Sequence, residues 1–214
     1  MKTLFIEARS NLDIKKLMKK VKFKGKLGLV STVQHVHKLK EARKLLPKSV
    51  IGGQVLGCNV EKAKAIAEKI DGFLFIGSGM FHPTRIAMET GKKVLAANPF
   101  SGKVSKVSRK KTAEIKRKLK GAYLSFLHAE KLGILVSTKK GQNRLEDAKK
   151  LKAKLQKKEK SAYIFLFDTL VFSELENFPD IDCWINTACP RIAVDDHSRF
   201  QRPVINIDDL DALP

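Results

Sequence analysis

The strongest constraint on this chain is that it repeats itself. The segment LGLVST at 27–32 returns as LGILVST at 132–138, and a helical pattern of apolar and charged residues follows each copy. Further along, RIAM at 85–88 returns as RIAV at 191–194. Self-similarity that keeps its order over a long spacing indicates repeated structural units. The sequence therefore predicts two copies of one supersecondary plan.

Each copy alternates short apolar runs with amphipathic helical patterns. Predicted strands lie at 26–31, 50–54, 72–76 and 93–96 in the first copy, and at 133–137, 163–167, 183–186 and 204–207 in the second. In the first copy, predicted helices lie near 36–45, 60–69 and 84–90. Continuous apolar strands separated by helices are typical of a parallel sheet that is covered on both faces.

The predicted fold class is therefore α/β: two tandem, structurally similar domains, each an open parallel sheet flanked by helices. We place the first domain at 1–108 and the second at 109–214. A strand at 3–6 and a helix at 12–21 are expected before the first copy. A lysine-rich, weakly helical segment at 101–120 is expected to connect the two copies.

The net charge indicates which class of partner the protein could bind, but it does not indicate which reaction the protein could catalyse. Lysine and arginine number 43 against 22 aspartates and glutamates, which gives a formal net charge of +21. A lysine-covered surface is common in proteins of thermophiles. It also suits an acidic or RNA-bearing partner, such as a part of the translation machinery. RNA contact has no support from a motif, because the sequence has no RNA-binding signature with interleaved aromatic residues.

Several features favour a soluble protein in a reducing compartment. No window approaches the roughly 18 uncharged apolar residues that a membrane helix requires. Glu7 and Arg9 interrupt the stretch that a signal peptide would keep apolar. The three cysteines cannot all pair within the chain, and a chain of 214 residues needs no disulfide staples. We expect a cytoplasmic protein with no membrane contact.

Ligands of open parallel sheets usually bind at the carboxyl ends of the strands. Polar loops follow the predicted strands at 31–35, 54–58, 77–82, 137–142 and 186–196. Each loop taken singly is an ordinary connection from a strand to a helix. Together they would line one edge of each sheet, which makes that edge the candidate binding site.

Two of the three cysteines lie in those loops. Cys58 and Cys189 follow strand-like runs at non-equivalent points of the two copies, whereas Cys183 lies within a predicted strand and is expected to fill the core. None belongs to a Cys-x-x-Cys pair, so a structural zinc has no support. Two thiols are a weak metal site by themselves, since a cubane iron–sulfur cluster with one open iron needs three.

Five segments give the chain a family resemblance. They are VSTVQHVH at 30–37, GQVLGC at 53–58, FLFIGSGMFHP at 73–83, VSTKKGQ at 136–142 and NTACPRIAVDD at 186–196. In this order they resemble the archaeal diphthamide-synthesis enzyme, 2-(3-amino-3-carboxypropyl)histidine synthase. The resemblance covers almost the whole chain, and the loops around Cys58 and Cys189 are its most specific parts.

This resemblance implies iron–sulfur chemistry. Members of the family hold a 4Fe-4S cluster through three cysteines, one from each of three related domains, and bind S-adenosylmethionine at the open iron. Cleavage of S-adenosylmethionine releases a 3-amino-3-carboxypropyl radical, which is added to a histidine of translation elongation factor 2 in the first step toward diphthamide. Cys58 matches the second cluster cysteine of the family and Cys189 the third. Both thiols would then have to converge on one iron-holding site.

The chain departs from the family pattern at its start. The family places a domain with its own cluster cysteine before the segment that begins here at Met1, and Cys183 does not occupy the place of that ligand. A separate polypeptide could supply the domain, the chain could be an excised fragment, or the chemistry could be lost. Because both cluster loops are intact, we favour a partner chain; a homodimer, usual in the family, is the other expected assembly.

The same loops contain further candidates, and the catalytic residues are not assigned. Gln142, Arg191 and Asp195 are candidates for binding S-adenosylmethionine, since a guanidinium suits a carboxylate and an aspartate suits an amine or a ribose. Asp195 and its neighbour Asp196 are equally well explained as a helix cap or surface charge. Three loop histidines are candidates for proton handling or for loop packing: His35, His37 and His82.

The sequence thus leaves two hypotheses of different classes. In the first, the chain is a catalytic part of the diphthamide enzyme and receives its third cluster cysteine from elsewhere. In the second, it is a non-catalytic module whose basic surface docks on an elongation factor or on RNA. Iron binding that depends on Cys58 and Cys189 separates the two.

Overall fold

The structure is a computed structural model that describes residue 4, residues 6–57 and residues 59–210. It consists of two compact units, Met1–Ala113 and Glu114–Pro214. Each contains its own sheet and its own hydrophobic core, which confirms the α/β fold class.

The first unit is built on a five-stranded sheet in the order β2-β1-β3-β4-β5. Its strands are β1 (Leu27–Ser31), β2 (Ser49–Gln54), β3 (Gly72–Ile76), β4 (Lys93–Asn98) and β5 (Lys103–Lys106). The first four run parallel to their neighbours, and β5 is antiparallel to β4. The helices are α1 (Lys15–Met18), α2 (Leu39–Leu45), α3 (Glu61–Lys64) and α4 (Phe81–Thr90), with 3₁₀ turns at Val36–Lys38 and Ala67–Lys69.

The second unit is built on a four-stranded parallel sheet in the order β7-β6-β8-β9. Its strands are β6 (Lys131–Ser137), β7 (Ser161–Phe167), β8 (Cys183–Asn186) and β9 (Val204–Asn206). The helices are α5 (Arg109–His128), which begins in the first unit, α6 (Leu145–Gln156) and α7 (Arg191–Val194). Three 3₁₀ turns lie at Phe172–Asn177, His197–Arg199 and Ile207–Asp209.

The two sheets repeat one strand order, since each starts from its second strand and continues through its first, third and fourth. The repetition extends to single hydrogen bonds. Asp71 Oδ2 accepts the backbone N–H of Lys26 at 2.7 Å, and Asp182 Oδ2 accepts that of Lys131 at 2.8 Å. The backbone N–H of each aspartate donates in return to the carbonyl of the same lysine, at 2.9 Å in both units. This aspartate clamp joins the amino ends of the two central strands of each sheet.

Both faces of the central strands are buried, as continuous apolar runs predict. In β3, Phe73 and Phe75 belong to one core cluster, and Leu74 and Ile76 belong to another. In the second unit, the successive residues Ile134 and Leu135 of β6 likewise point into different clusters. Helices therefore cover both faces of each sheet but not the ends of its strands.

The connecting segment differs from the prediction. Instead of a weak helix at 101–120, the chain forms the edge strand β5 and the 20-residue helix α5. The strand forms because Val104 packs against the first core while lysines at the edge face water. The helix is held because Tyr123 and Phe126 pack on the second core.

Two expectations near the amino terminus have different outcomes. The helix expected at 12–21 is confined to Lys15–Met18, and its buried residues Leu17 and Met18 belong to the core of the first unit. The strand expected at 3–6 falls mostly outside the described residues. Within the described parts of the chain, no helix combines the length and the apolar character that crossing a bilayer demands.

Candidate metal and cofactor site

The loop that carries Cys189 lies at the carboxyl edge of the second sheet. Strand β8 ends at Asn186, residues 187–190 turn away from the sheet, and α7 follows at once. Cys189 is half-buried and its thiol is free. Thr187 fixes the start of the loop, because its backbone N–H and its hydroxyl both donate to the carbonyl of Leu135 on β6, at 3.0 Å and 2.8 Å. The structure thus places this free thiol in a loop at the predicted edge.

Polar side chains at the ends of β8 and β9 form hydrogen bonds to the backbone of the same loop. Asn186 Nδ2 donates to the carbonyl of Cys189, and Asn206 Nδ2 donates to the carbonyl of Pro190. Asn206 also donates to Asp209. Asn206 and Asp209 were not among the predicted site residues. The signal that could have pointed to Asn206 is an asparagine near the end of two predicted strands, Asn186 in 183–186 and Asn206 in 204–207.

Arg191 and Asp195, both candidates for binding S-adenosylmethionine, are the first residue of α7 and the residue that caps its carboxyl end. Arg191 Nε donates to Asp195 Oδ2 at 2.5 Å, and the hydrogen bond to this carboxylate raises the pKa of the Arg191 guanidinium. The Arg191 side chain remains 59% exposed. A guanidinium that follows Cys189 by two residues and is accessible to solvent is chemically suited to an anionic group.

Gln142 lies in the loop at the end of the neighbouring strand β6. Its side chain is exposed, and its backbone N–H donates to the carbonyl of Lys139 at 3.0 Å. Arg144 closes this loop, since its guanidinium donates to Asp147 at 2.8 Å and to Asp208 at 2.7 Å. Because β6 and β8 are adjacent in the sheet, the Gln142 loop and the Cys189 loop leave the same edge.

Cys183 is a core residue, as predicted. It is fully buried in the cluster that lines one face of the second sheet. Desolvation, with a contribution from the adjacent Asp182 carboxylate, raises the pKa of the Cys183 thiol to about 12. A thiol must be deprotonated to bind iron as thiolate, so Cys183 is not suited to be a cluster ligand.

Cys58 lies outside the described residues, but both sides of its loop are defined. Leu56 and Asn59 exchange two backbone hydrogen bonds, at 2.9 Å and 3.1 Å. The ring of Phe81 lies so close to Gly57 that it would collide with a β-carbon there. The preceding residue Val55 donates its N–H to the carbonyl of Ser31 at the end of β1. The loop therefore leaves the carboxyl edge of the first sheet.

The three loop histidines differ in their surroundings. His35 is fully buried, and neither ring nitrogen has a hydrogen-bond partner among the described residues. Desolvation, assisted by the charges of His37 and Lys38, lowers the pKa of His35. His82 stacks on Phe75 with ring centroids 5.6 Å apart. These contacts are packing contacts, and the burial of His35 favours the neutral form of its ring.

No group of three or more histidine, cysteine, aspartate or glutamate side chains with the spacing of a metal site occurs among the described residues. In the second unit, Cys189 is the cysteine that can act at the carboxyl ends of the strands, because Cys183 is buried and its thiol has a raised pKa.

Comparisons with known proteins agree with this fold. The family described as putative diphthamide synthesis protein matches residues 1–213. The 2-(3-amino-3-carboxypropyl)histidine synthase of Pyrococcus horikoshii is 34% identical over 234 residues, covering 99% of this chain and 65% of the relative. That of Methanocaldococcus jannaschii is 32% identical, covering 90% of this chain and 53% of the relative. The chain thus spans between about half and two thirds of these curated relatives.

The fold has a counterpart among solved structures. The crystal structure of Dph2 from Pyrococcus horikoshii with a 4Fe-4S cluster superposes with a TM-score of 0.79 at 31% identity, covering 95% of this chain and 62% of that chain. Two units, each built on a sheet of mostly parallel strands between helices, define an α/β protein. The chain belongs to the diphthamide synthesis protein family.

Proposed function

We propose that this chain is part of an enzyme that transfers a 3-amino-3-carboxypropyl group from S-adenosylmethionine to a histidine of translation elongation factor 2, the first step of diphthamide synthesis. The carrying observation is the free, half-buried thiol of Cys189 in a supported loop at the carboxyl edge of the second sheet. The likeness to a Dph2 crystallised with a 4Fe-4S cluster supports the same assignment.

Cys58 and Cys189 would each supply a thiolate to one 4Fe-4S cluster. The predicted domains 1–108 and 109–214, which meet directly before α5, would be the two cysteine-bearing domains. The third thiolate would come from a polypeptide other than this copy of the chain, since its remaining cysteine, Cys183, is buried with a raised pKa. A partner chain and a second copy of this chain are the two sources that we consider.

The chemistry that such a cluster supplies when bound is one-electron cleavage of S-adenosylmethionine, which releases the 3-amino-3-carboxypropyl group as a radical. The residues of this chain would bind and orient that cofactor. Arg191 would offer its guanidinium to the methionine carboxylate, and Asp195 would face the amine. Gln142, on the adjacent loop at the same edge, would contribute a neutral hydrogen-bonding group.

Anaerobic reconstitution with iron and sulfide tests the ligand assignment. We expect the absorption of a 4Fe-4S cluster when the chain is mixed with a polypeptide that carries the third cysteine. The Cys58→Ala and Cys189→Ala variants should lose this absorption and most of the bound iron. The matched control, Cys183→Ala, should retain both. Iron binding that survives both loop substitutions, or that disappears with Cys183→Ala in a folded protein, would contradict the proposal.

A second candidate function rests on the helical layer of the second unit. Exposed basic side chains cover the part of α5 within this unit and α6: Lys116, Arg117, Lys118, Lys120, Lys149, Lys150 and Lys154. Such a surface suits docking on an elongation factor or on RNA without catalysis. If this is the whole function, the chain should bind elongation factor 2 or RNA with a steep dependence on salt, and it should bind no iron under any reconstitution conditions.

A further inference from the structure

Three buried polar side chains lie directly behind the Cys189 loop. Asn186 is the last residue of β8, Asn206 is the last residue of β9, and Asp209 follows in the 3₁₀ turn at Ile207–Asp209. Their exposed fractions are 1%, 2% and 4%. Polar groups this deeply buried are costly unless they are hydrogen-bonded, so their bonds fix the surroundings closely.

The bonds from Asn186 tie the loop to strand β8. Its Nδ2 donates to the carbonyl of Cys189 at 2.9 Å and to Oδ1 of Asn206 at 2.8 Å. Its Oδ1 accepts the backbone N–H of Ala188 at 3.1 Å. One side chain thereby holds the peptide groups on both sides of the turn that presents the thiol.

The bonds from Asn206 tie the same loop to strand β9. Its Nδ2 donates to the carbonyl of Pro190 at 3.3 Å and to Oδ2 of Asp209 at 2.9 Å. Asp209 thus fixes the orientation of the Asn206 amide, and the Asn206 oxygen receives the hydrogen bond from Asn186. Two adjacent strands therefore hold the consecutive carbonyls of Cys189 and Pro190.

We propose that Asn186, Asn206 and Asp209 are positioning residues that set the backbone of Cys189 and so aim its thiol for iron ligation. The inference rests on the proposed function for the identity of the metal, but the positioning can be tested without metal. Outer-shell hydrogen bonds that orient a ligand tune its affinity for the metal, and sites built on rigid strands hold their geometry best. The competing explanation is that the network only completes the core of the second unit.

The test is the alkylation of thiols in the metal-free full chain, in a Cys58→Ala background. Iodoacetamide is the probe, and peptide mass spectrometry reads Cys189 and Cys183 separately. We expect Asn206→Ala to raise the alkylation rate of Cys189 about threefold or more, because the loop loses the donor to Pro190 and part of the network that orients Asn186. The rate of Cys183 should stay unchanged, since this buried thiol reports the opening of the core.

A second variant and a control keep the result interpretable. Asn206→Asp preserves the side-chain volume, but the substituted carboxyl group can donate at most one hydrogen bond, so it too should accelerate Cys189. Ser137→Ala is the control, because Ser137 is equally buried at the end of β6 and its hydroxyl oxygen accepts the N–H of Lys139 in a different loop. It should leave the Cys189 rate unchanged.

Two outcomes would overturn the inference. The Cys189 rate could stay at the wild-type value in both Asn206 variants, or Cys183 could accelerate in parallel with Cys189, which would show a purely structural role. Failure of the proposed function is distinguishable from either, because it would abolish cluster formation in the reconstitution experiment and leave the alkylation pattern of the metal-free chain as expected here.

Discussion

Gly133 and Trp184 face each other across adjacent strands, and the indole ring of Trp184 occupies the space above the α-carbon of Gly133. The two residues are partners in the register of β6 and β8. A β-carbon built on Gly133 would collide with the ring atoms Cε3 and Cζ3 of Trp184. Trp184 is almost fully buried and packs edge-on against Phe165, so its ring has little room to move. The glycine is therefore a packing requirement of the second sheet.

Gly133→Ala should destabilise the protein by about 1–3 kcal/mol, the usual cost of forcing extra volume into a packed core. Urea unfolding followed by tryptophan fluorescence measures the change, since Trp184 is the single tryptophan. Gly121→Ala is the matched control, because Gly121 lies in α5 with open space around it. It should stabilise the helix by up to about 1 kcal/mol. Equal effects from the two substitutions would refute the packing argument.

The aspartate clamp predicts a loss of stability in acid. Hydrogen bonds from the backbone, that of Lys131 first, lower the pKa of Asp182 in the folded protein. A carboxyl group with a lowered folded pKa stabilises the fold above its unfolded pKa, about 3.9, and this stabilisation is lost as the pH falls through the folded value. Asp182→Asn should therefore be less stable than the wild type at neutral pH, and the difference should shrink in acid. A difference that is constant with pH in chemical unfolding would contradict this.

The buried thiol of Cys183 should make the folded protein less stable at alkaline pH. Burial raises the pKa of its thiol to about 12, from the value of 9.0 that applies to an exposed thiol. The fold keeps the proton while the unfolded chain releases it, so stability is complete below about pH 9 and falls as the pH rises toward the folded pKa. Thermal unfolding between pH 8 and 11 should show a shallower decline in Cys183→Ala than in the wild type. Parallel declines would show that Cys183 contributes nothing to the slope.

The buried ring of His35 should lower the stability of the folded protein in mild acid. Desolvation lowers its pKa, so the fold favours the neutral ring, and stability is lost as the pH falls below the unfolded value of about 6.5. His35→Leu removes ring nitrogens that have no partner among the described residues. It should cost little at neutral pH and should flatten the decline of melting temperature between pH 7 and 5. His128→Gln, at the exposed end of α5, should leave that decline unchanged.

If the proposed function holds, the affinity for S-adenosylmethionine should depend on the guanidinium of Arg191. Arg191→Lys should weaken binding to the iron-reconstituted assembly by about tenfold, because an ammonium cannot reproduce the fork of a guanidinium toward a carboxylate. Arg199→Lys is the control, since Arg199 lies in the same segment but packs over the ring of Phe172. Calorimetric titration measures both. Unchanged affinity in Arg191→Lys would remove Arg191 from the cofactor site.

Strands β1 to β4 and β6 to β9 were predictable because each is an apolar run followed by a polar loop, and because each copy of the repeat supplied four of them. The strand predicted at 72–76 coincides with β3, and that at 183–186 coincides with β8. The segment 101–120 was harder to interpret, because its many lysines, and Gly121 directly after it, obscure the apolar stripe of α5. The edge strand β5 has one inward-facing valine and is defined by its pairing with β4.

The candidate site was predictable only in part for a related reason. A cysteine just after a strand is visible in sequence, so the position of Cys189 followed from the rule for strand ends. The support of that loop depends on Asn206, which reaches Asn186 from 20 residues further along the chain. Pairings between distant residues depend on which strands become neighbours, and a single sequence does not encode that as a local pattern.

The aspartate clamps join the amino ends of the central strands in both sheets, whereas the cysteine loops leave from the opposite ends. Changes to one end of a sheet therefore need not disturb the other. Over evolutionary time, a loop at the carboxyl edge can be lengthened, shortened or given a different ligand while the clamp keeps the strands in register. A repeated unit built in this way can acquire a different binding or catalytic loop while it keeps its fold.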